Sequence, residues 1–419
     1  MVTLSRTVIA IAVAVIVTAI AIYSLTHIML ASDRKEQYVT VTRTVQQTIH
    51  QTVTVLQTTT ITTPVTVTVT QASPTITHTV TLYTPRPEVR GLSVSGAGAS
   101  FQYPQIAQWA RLFKEVAGVE VTYQSVGSGA GQKMFLVDRV TDFAASDPPL
   151  TKSQYEQYRG QVMQIPWIMG AVVVVYNVPE IKGHNLKLTG EVIAKIYRGE
   201  IEYWDDPAIK ELNPDIANIL PRKQIIAVHR SDSSGTTEIF TIFLNKAAPN
   251  IWDKDLVGKV VNWPVDATGR GIGAKGNEGV TATVLQTHYS IGYVELSYAL
   301  ENNLPIAAIR NAAGRFVLPT DETIRNAAKG ISIPSSPLDD FSEMFVEVIY
   351  SRHEDSYPIS SLAFLFVWRE YGDRNKALAL SEFLKWIAIE GYSNMVRGYV
   401  APPQQIIELL LSAARLLES

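Results

Sequence analysis

The 419-residue sequence contains no cysteine. That absence excludes disulfides, thiolate metal sites, cysteine nucleophiles and a lipid-modified cysteine near the amino terminus. An excess of positive charge is also lacking. Lys and Arg number 36 against 39 Asp and Glu, a formal net charge of −3. This balance excludes a general polyanion binder such as a nucleic-acid protein. Any anion site must therefore be local and built from few groups. The seven histidines include no HExxH or other metal-ligand spacing, and no metal or cofactor is expected. Hydrophobic residues make up 46% of the chain, as in a globular protein, and the length allows a large core or two to three domains.

Val8 to about Leu30 is almost wholly apolar and uncharged. A membrane-spanning helix needs about 20 such residues, whereas the apolar core of a cleavable signal peptide spans roughly 7–15. The run is read as a retained anchor within residues 1–36; cleavage after Met29-Leu30-Ala31 is the alternative. Arg6 before the span and Arg34 and Lys35 after it leave its orientation open. Residues 37–90 are low in complexity, with alternating Thr and Val and prolines at Pro64, Pro74, Pro85 and Pro87. The alternation resembles a strand, but a lone strand with no partner or large side chain is not stable. An extended, O-glycosylated stalk is expected, reaching up to ~180 Å at about 3.3 Å per residue. A β-rich interaction segment is the alternative. Either reading places the bulk of the chain outside the cytoplasm, tethered by a single pass.

From Gly91 the pattern becomes globular. Residues 93–95 predict a strand, and GAGASF (96–101) turns into a helix. Ile106, Trp109, Ala110 and Phe113 lie at i, i+3, i+4 and i+7, the spacing of an amphipathic helix, which Gly118 ends. Residues 119–123 form the next strand, GSGAG (127–131) opens a helix to about Val140, and 142–147 is a short strand stopped by Pro148-Pro149. IPWIMGAVVVVYNVP (165–179) reads as a buried strand, and Leu188-Thr189-Gly190-Glu191 opens a helix to about Tyr197. Residues 201–207 read as a loop and 269–279 only as a Gly-rich stretch. Residues 290–294 and 362–367 predict strands; 378–388 and 404–417 predict helices. Repeated β-turn-α-β predicts an α/β fold with a largely parallel sheet.

The most informative stretch runs from Ala227 to Thr237. Ile225 to Val228 are the end of a strand; Ile239, Ile242, Phe243 and Leu244 lie at helical spacing. In extended backbone Arg230 and Asp232 project to the same side and His229 to the other. The carboxylate can then hold the guanidinium in one orientation. Ser234, Gly235 and Thr236 fall at a helix start, where free N–H groups and the helix dipole favour an anion. Arginine adds charge and a donor fork that matches tetrahedral oxyanions. An oxyanion pocket is predicted at this turn; a serine cap beside a surface ion pair is the plain alternative. GAGASF lacks the third glycine of a dinucleotide fingerprint, and neither it nor GSGAG ends in the Lys-Ser/Thr of a P-loop. With the third turn they share small residues at a helix start: Ser100, Ser128, and Ser234 to Thr236. Sequence spacing alone does not show that the three converge.

Taken together, GAGASF, VGSGAG, FAASDPPL, IEYWDDPAI, HRSDSSGTT and YSIGYVE resemble, in order and spacing, the phosphate-binding protein of phosphate ABC transporters. The resemblance covers roughly residues 91–419 and not the anchor or stalk. It implies a type II periplasmic-binding-protein fold with two α/β lobes closing about a hinge. One lobe would comprise 91–167 plus about 358–419, and the other 168–357. It implies phosphate held free of water by the residues matching Ser100, Phe101 (through its backbone), Ser128, Asp147, Arg230, Asp232, Ser234, Gly235 and Thr236. The expected partners are inorganic phosphate, the permease subunits of an ABC transporter and, through the anchor, the membrane. Three departures are visible. Ser100 stands where Thr is common, Ser233 replaces a usual Gly, and the anchor replaces a cleaved or lipidated start. The missing cysteine, the anchor and the Thr-rich stalk fit an archaeal surface better than a bacterial periplasm.

Within the implied set Asp147 is unusual, because a carboxylate repels an anion. It is accounted for if it accepts a hydrogen bond from a protonated ligand oxygen. Phosphate keeps a proton near neutral pH, its second pKa being about 6–7, whereas sulfate has none to give. A protein for another oxyanion (sulfate, molybdate, tungstate) is the nearest rival. A phosphate-ester hydrolase is less favoured: Ser234 follows no G-x-S-x-G elbow, and no enzyme activity is expected. A surface adhesion protein would explain the stalk but not the three turns.

Overall fold

The computed structural model describes residues 40–44, 77–81 and 83–419. The span expected at 8–30 lies outside the described residues, as does most of the stalk at 37–90. Within residues 1–84, Thr40–Thr44 (β1) pairs antiparallel with Thr77–Thr81 (β2), with Thr40 opposite Thr81 and Thr44 opposite Thr77. No helix among the described residues is long and apolar enough to cross a membrane.

Residues 85–419 form a second compact unit. Its strands are Ser93–Gly98 (β3), Glu120–Ser125 (β4), Phe143–Ser146 (β5), Val162–Asn177 (β6), Lys187–Leu188 (β7), Ile226–Arg230 (β8), Gly271–Ala274 (β9), Ser290–Glu295 (β10), Ala308–Arg310 (β11), Phe316–Val317 (β12) and Ser360–Trp368 (β13). Eight of them make one sheet in the order β4-β3-β5-β13-β6-β10-β8-β9; β12, β11 and β7 make a small second sheet. The outer strands of each half run parallel: β4, β3 and β5 on one side, β10, β8 and β9 on the other. The central pair, β13 and β6, is antiparallel. The expected parallel α/β architecture therefore holds in both halves and breaks at the centre.

Strand β6 joins the halves. Val162 to Ala171 pairs with β13, and Val172 to Asn177 pairs with β10. It is buried from Val162 through Tyr176, as a strand covered on both faces must be. Pro166, which cannot donate to a ladder, sits where the register with β13 shifts, between Ala363 and Phe364.

The first helix, Tyr103–Ala117, buries Ile106, Trp109 and Phe113 as its spacing predicts. Gly118 ends it in the left-handed region at φ 70°, where a side chain would be strained. The helix expected to reach Val140 is Ser128–Leu136 and stops earlier. Val137 and Val140 are 66% and 63% exposed, and Arg139 turns to φ 52°, so no core surface lies beneath a further turn. The Gly-rich stretch, in contrast, is structured: it supplies edge strand β9 and the helix Gly276–Gln286.

Candidate functional site

The three helix-start turns meet where the two halves of the sheet face each other. The β3 end leads into Ser100, β5 leads into Asp147, and β8 leads into Arg230 and the helix Gly235–Ala247. Ser128 opens its own helix after β4. All four side chains are almost fully buried.

Arg230 and Asp232 form a two-point clasp. Arg230 Nε donates to Asp232 Oδ1 at 2.7 Å and Nη2 to Oδ2 at 2.5 Å. The third guanidinium nitrogen, Nη1, donates to Thr236 Oγ1 at 3.3 Å. Asp232 Oδ1 also accepts from the Gly276 N–H at 3.1 Å. Burial pushes the Asp232 carboxyl up, but its bonds to Arg230 and Gly276 outweigh this and hold it below the usual carboxylate range. The same-side projection expected of these two residues is thus realised. His229 is turned elsewhere: its Nε2 lies 2.8 Å from Asp266 Oδ1 and its ring stacks on Trp263. Its Nδ1 lies 3.1 Å from the Arg230 carbonyl oxygen.

Asp147 is 1% exposed. Its Oδ1 accepts from Gln102 Nε2 at 3.2 Å, and its Oδ2 lies 3.5 Å from Ser128 Oγ. The indole N–H of Trp167 donates to Gln102 Oε1 at 2.6 Å, which fixes the Gln102 amide with its nitrogen toward Asp147. Burial raises the Asp147 carboxyl to about 7, although Gln102, the Arg230 and Lys259 charges and Ser128 pull it down. It is therefore poised near neutrality to accept or donate a proton.

Gly235 closes against this carboxylate. A methyl group at Gly235 would lie 2.5 Å from Asp147 Oδ2 and 2.5 Å from Ser128 Oγ, so no side chain fits. Ser234 Oγ accepts from the Thr237 N–H at 3.1 Å and caps the helix. The capping role weighed in the sequence is real for this residue, and its hydroxyl proton is still left to donate. Phe101 is held by its own packing: its carbonyl accepts from Tyr399 Oη at 2.6 Å, and its ring is buried edge-on against Tyr399.

Three residues near these groups were not singled out in the sequence. Gln102 holds Asp147. Lys259 reaches Gln132 Oε1 at 2.7 Å, and burial pulls its ammonium below the usual lysine range. Asn277, the second residue of the helix Gly276–Gln286, bonds to both Ser100 and Thr236. That Gln102 lies two residues after Ser100 was the one available signal. Lys259 and Asn277 lie far from the motifs along the chain. A cavity of about 370 Å³ lies beside His229, Trp263 and Asp266; of the predicted ligand residues only Arg230 and Asp232 line it.

The arrangement gathers one clamped guanidinium, several buried hydroxyls, a helix start and one carboxyl raised by burial. It suits a small oxyanion that brings a proton of its own.

Residues 37–390 match the family model of the PBP superfamily domain. The phosphate-binding protein PstS of Methanocaldococcus jannaschii is 41% identical over 333 residues, which cover 77% of this chain and 85% of that protein. PstS of Pasteurella multocida is 39% identical over 317 residues, covering 75% and 88% respectively. Among solved structures, a high affinity periplasmic phosphate-binding protein (PfluDING) bound with phosphate superposes with a TM-score of 0.58 at 21% identity, over 76% of this chain and 92% of that one. A human phosphate binding apolipoprotein does so with a TM-score of 0.60 at 20% identity, over 75% and 92%. At such identities the structures speak for the fold, an α/β periplasmic-binding-protein-like architecture. The chain belongs to the PBP superfamily and, within it, to the family of PstS phosphate-binding proteins.

Proposed function

We propose that this chain binds inorganic phosphate outside the cytoplasm and delivers it to the permease of an ABC transporter. The family supports this role, and one observation at the site carries the choice of ligand: the buried Asp147 carboxyl, raised to about 7 beside the clasped Arg230. An ionised Asp147 accepts the proton of a phosphate O–H. A sulfate oxygen in the same place meets the carboxylate with no proton between them, an unpaired buried contact costing several kcal/mol. Sites that pair a specific O–H discriminate by ~10⁴ or more.

In this reading Ser100, Ser128, Ser234 and Thr236 donate hydroxyls, and the backbone at Phe101 and Gly235 completes the shell. Arg230 supplies the main attraction and Asp232 holds its fork. The two lobes are 91–167 with 358–419, and 168–357, and they close on the ligand about the central strands. The segment 8–30 anchors the chain in the membrane in a single pass, and 37–90 spaces the binding unit from it, on an archaeal surface. The protein turns nothing over.

Calorimetric titration of the full chain with phosphate, sulfate and molybdate at pH 8 tests the reading. Phosphate is expected to bind at micromolar affinity or tighter, about −8 kcal/mol or better, with sulfate and molybdate far weaker. Equal affinity for sulfate, or hydrolysis of a phosphate monoester, would overturn it.

A further inference from the structure

The hydroxyls of Ser100 and Thr236 are useful to an anion only if their protons point at it. A hydroxyl rotates freely and is both donor and acceptor, so something must choose the direction. Asn277 is placed to do so. It is fully buried. Its Oδ1 accepts from the backbone N–H of Glu295 at 2.8 Å. A backbone N–H only donates, so the amide cannot be flipped, and Nδ2 must face the other way. There it donates to Ser100 Oγ at 2.9 Å and to Thr236 Oγ1 at 3.2 Å.

The lone pairs of both hydroxyls are then spoken for. Ser100 Oγ accepts a second bond from the Asn277 backbone N–H at 3.1 Å. Thr236 Oγ1 accepts its second from Arg230 Nη1 at 3.3 Å. Each oxygen receives two N–H bonds, and each is left with its own proton as the only valence still to satisfy. Two rotors have become two fixed donors. The contact also spans the halves: Ser100 follows β3, whereas Asn277 and Thr236 belong to the helices after β9 and β8.

We infer that Asn277 is a positioning residue that sets both hydroxyls as proton donors toward the bound anion without touching it. The inference rests on the phosphate-binding reading above. It separates Asn277 from a packing residue, because what matters is the direction of its hydrogen bonds. An acceptor at the same place reverses the hydroxyls.

The test compares phosphate affinity of the full chain for wild type, Asn277→Ala and Asn277→Asp, with near-ultraviolet circular dichroism to follow folding. Asn277→Ala frees the rotors and is expected to weaken binding about tenfold. Asn277→Asp keeps the size but offers a carboxylate that takes both hydroxyl protons; at pH 8 it is expected to weaken binding about 100-fold or more beyond the alanine variant. That excess should shrink at pH 5, where the new carboxyl gains an O–H. Asp147, Arg230, Asp232, Glu278 and Glu295, the charged groups on neighbouring segments, are common to both variants and cancel in their ratio. A double-mutant cycle serves if Asn277→Asp fails to fold: in a chain carrying Ser100→Ala and Thr236→Val, adding Asn277→Ala should cost nothing further. Equal losses for both variants at both pH values, or a fully additive cycle, would reduce Asn277 to packing and overturn the inference. Wild type that binds phosphate and variants that bind it equally well overturn the inference alone; a wild-type chain that binds no phosphate overturns the functional reading as well.

Discussion

Gly235 and Asp147, 88 positions apart in the chain, approach so closely that a methyl group on the glycine would fall 2.5 Å from the aspartate Oδ2. The contact joins the helix start after β8 to the strand end of β5, on opposite halves of the sheet. On the proposed two-lobe reading this makes Gly235 a requirement of closure. Gly235→Ala is expected to weaken phosphate binding by about 100-fold or more, since the overlap forces the carboxylate or the helix aside. Its melting temperature should fall by a few degrees as well, since overpacking a buried contact costs about 1–3 kcal/mol. Calorimetry and thermal unfolding measured side by side check both halves of this expectation.

Asp147→Asn should alter selectivity more than affinity. The amide nitrogen can donate to a sulfate oxygen where the carboxylate cannot. In the wild type, sulfate binding is expected to strengthen as pH falls through about 7, where Asp147 takes up a proton. In the variant it should be flat over that range. Titrations of both anions from pH 5 to 8.5 decide; an unchanged phosphate-to-sulfate ratio would remove Asp147 from the selectivity mechanism.

Arg230→Ala should abolish measurable phosphate binding, a loss of several orders of magnitude. It removes the cation and leaves the largely buried Asp232 with only the Gly276 N–H among its present partners outside its own residue. Arg230→Lys should recover little, because an ammonium cannot make the two-point bond at 2.7 and 2.5 Å and also reach Thr236. Near-normal affinity in either variant would displace the site.

Glu295 gives a stability signature. Burial raises its carboxyl from 4.5 to about 8, against hydrogen bonds from Ser297 and Tyr399, and its Oε1 is without a hydrogen-bond partner. The folded chain thus holds a proton that the unfolded chain releases. Stability is full below about 4.5, falls as pH rises, and levels off above about 8. The loss amounts to a few kcal/mol at about 1.4 kcal/mol per unit. Glu295→Gln should be spared most of it, so the variant gains on the wild type in urea unfolding at pH 8.5 and not at pH 4.5.

Much of this was readable in the residues. The helix Tyr103–Ala117 carries a 3.6-residue stripe, and residues 165–176 within β6 form an apolar run, although the strand begins three residues earlier, at Val162. The Arg230–Asp232 pairing followed from strand alternation over two residues. The helix Gly276–Gln286 did not stand out, because the side chains it buries include only two large apolar ones, Val280 and Val284. Its remaining buried positions are Gly276, Asn277 and Thr281, too small or polar to form a stripe. Asn277 was hidden for a further reason. Its value lies in a bond to Ser100, 177 positions away, and no local pattern encodes which distant loop a side chain will meet. The convergence of Ser100, Ser128, Asp147 and Arg230 was invisible on the same ground until the sheet order was known.

The Arg230–Asp232 clasp leaves the cradle almost without net charge. The guanidinium is cancelled two residues on, and Lys259 is set against Asp147 and Glu238. With the chain as a whole at −3, an approaching anion feels little pull at distances beyond a Debye length of about 8 Å. On the proposed reading the pull on the anion is then exerted at short range, by Arg230 and the hydrogen-bond donors around it, with little long-range steering. An association rate with phosphate that changes little with ionic strength is the expected result, measurable by stopped-flow mixing across a salt series.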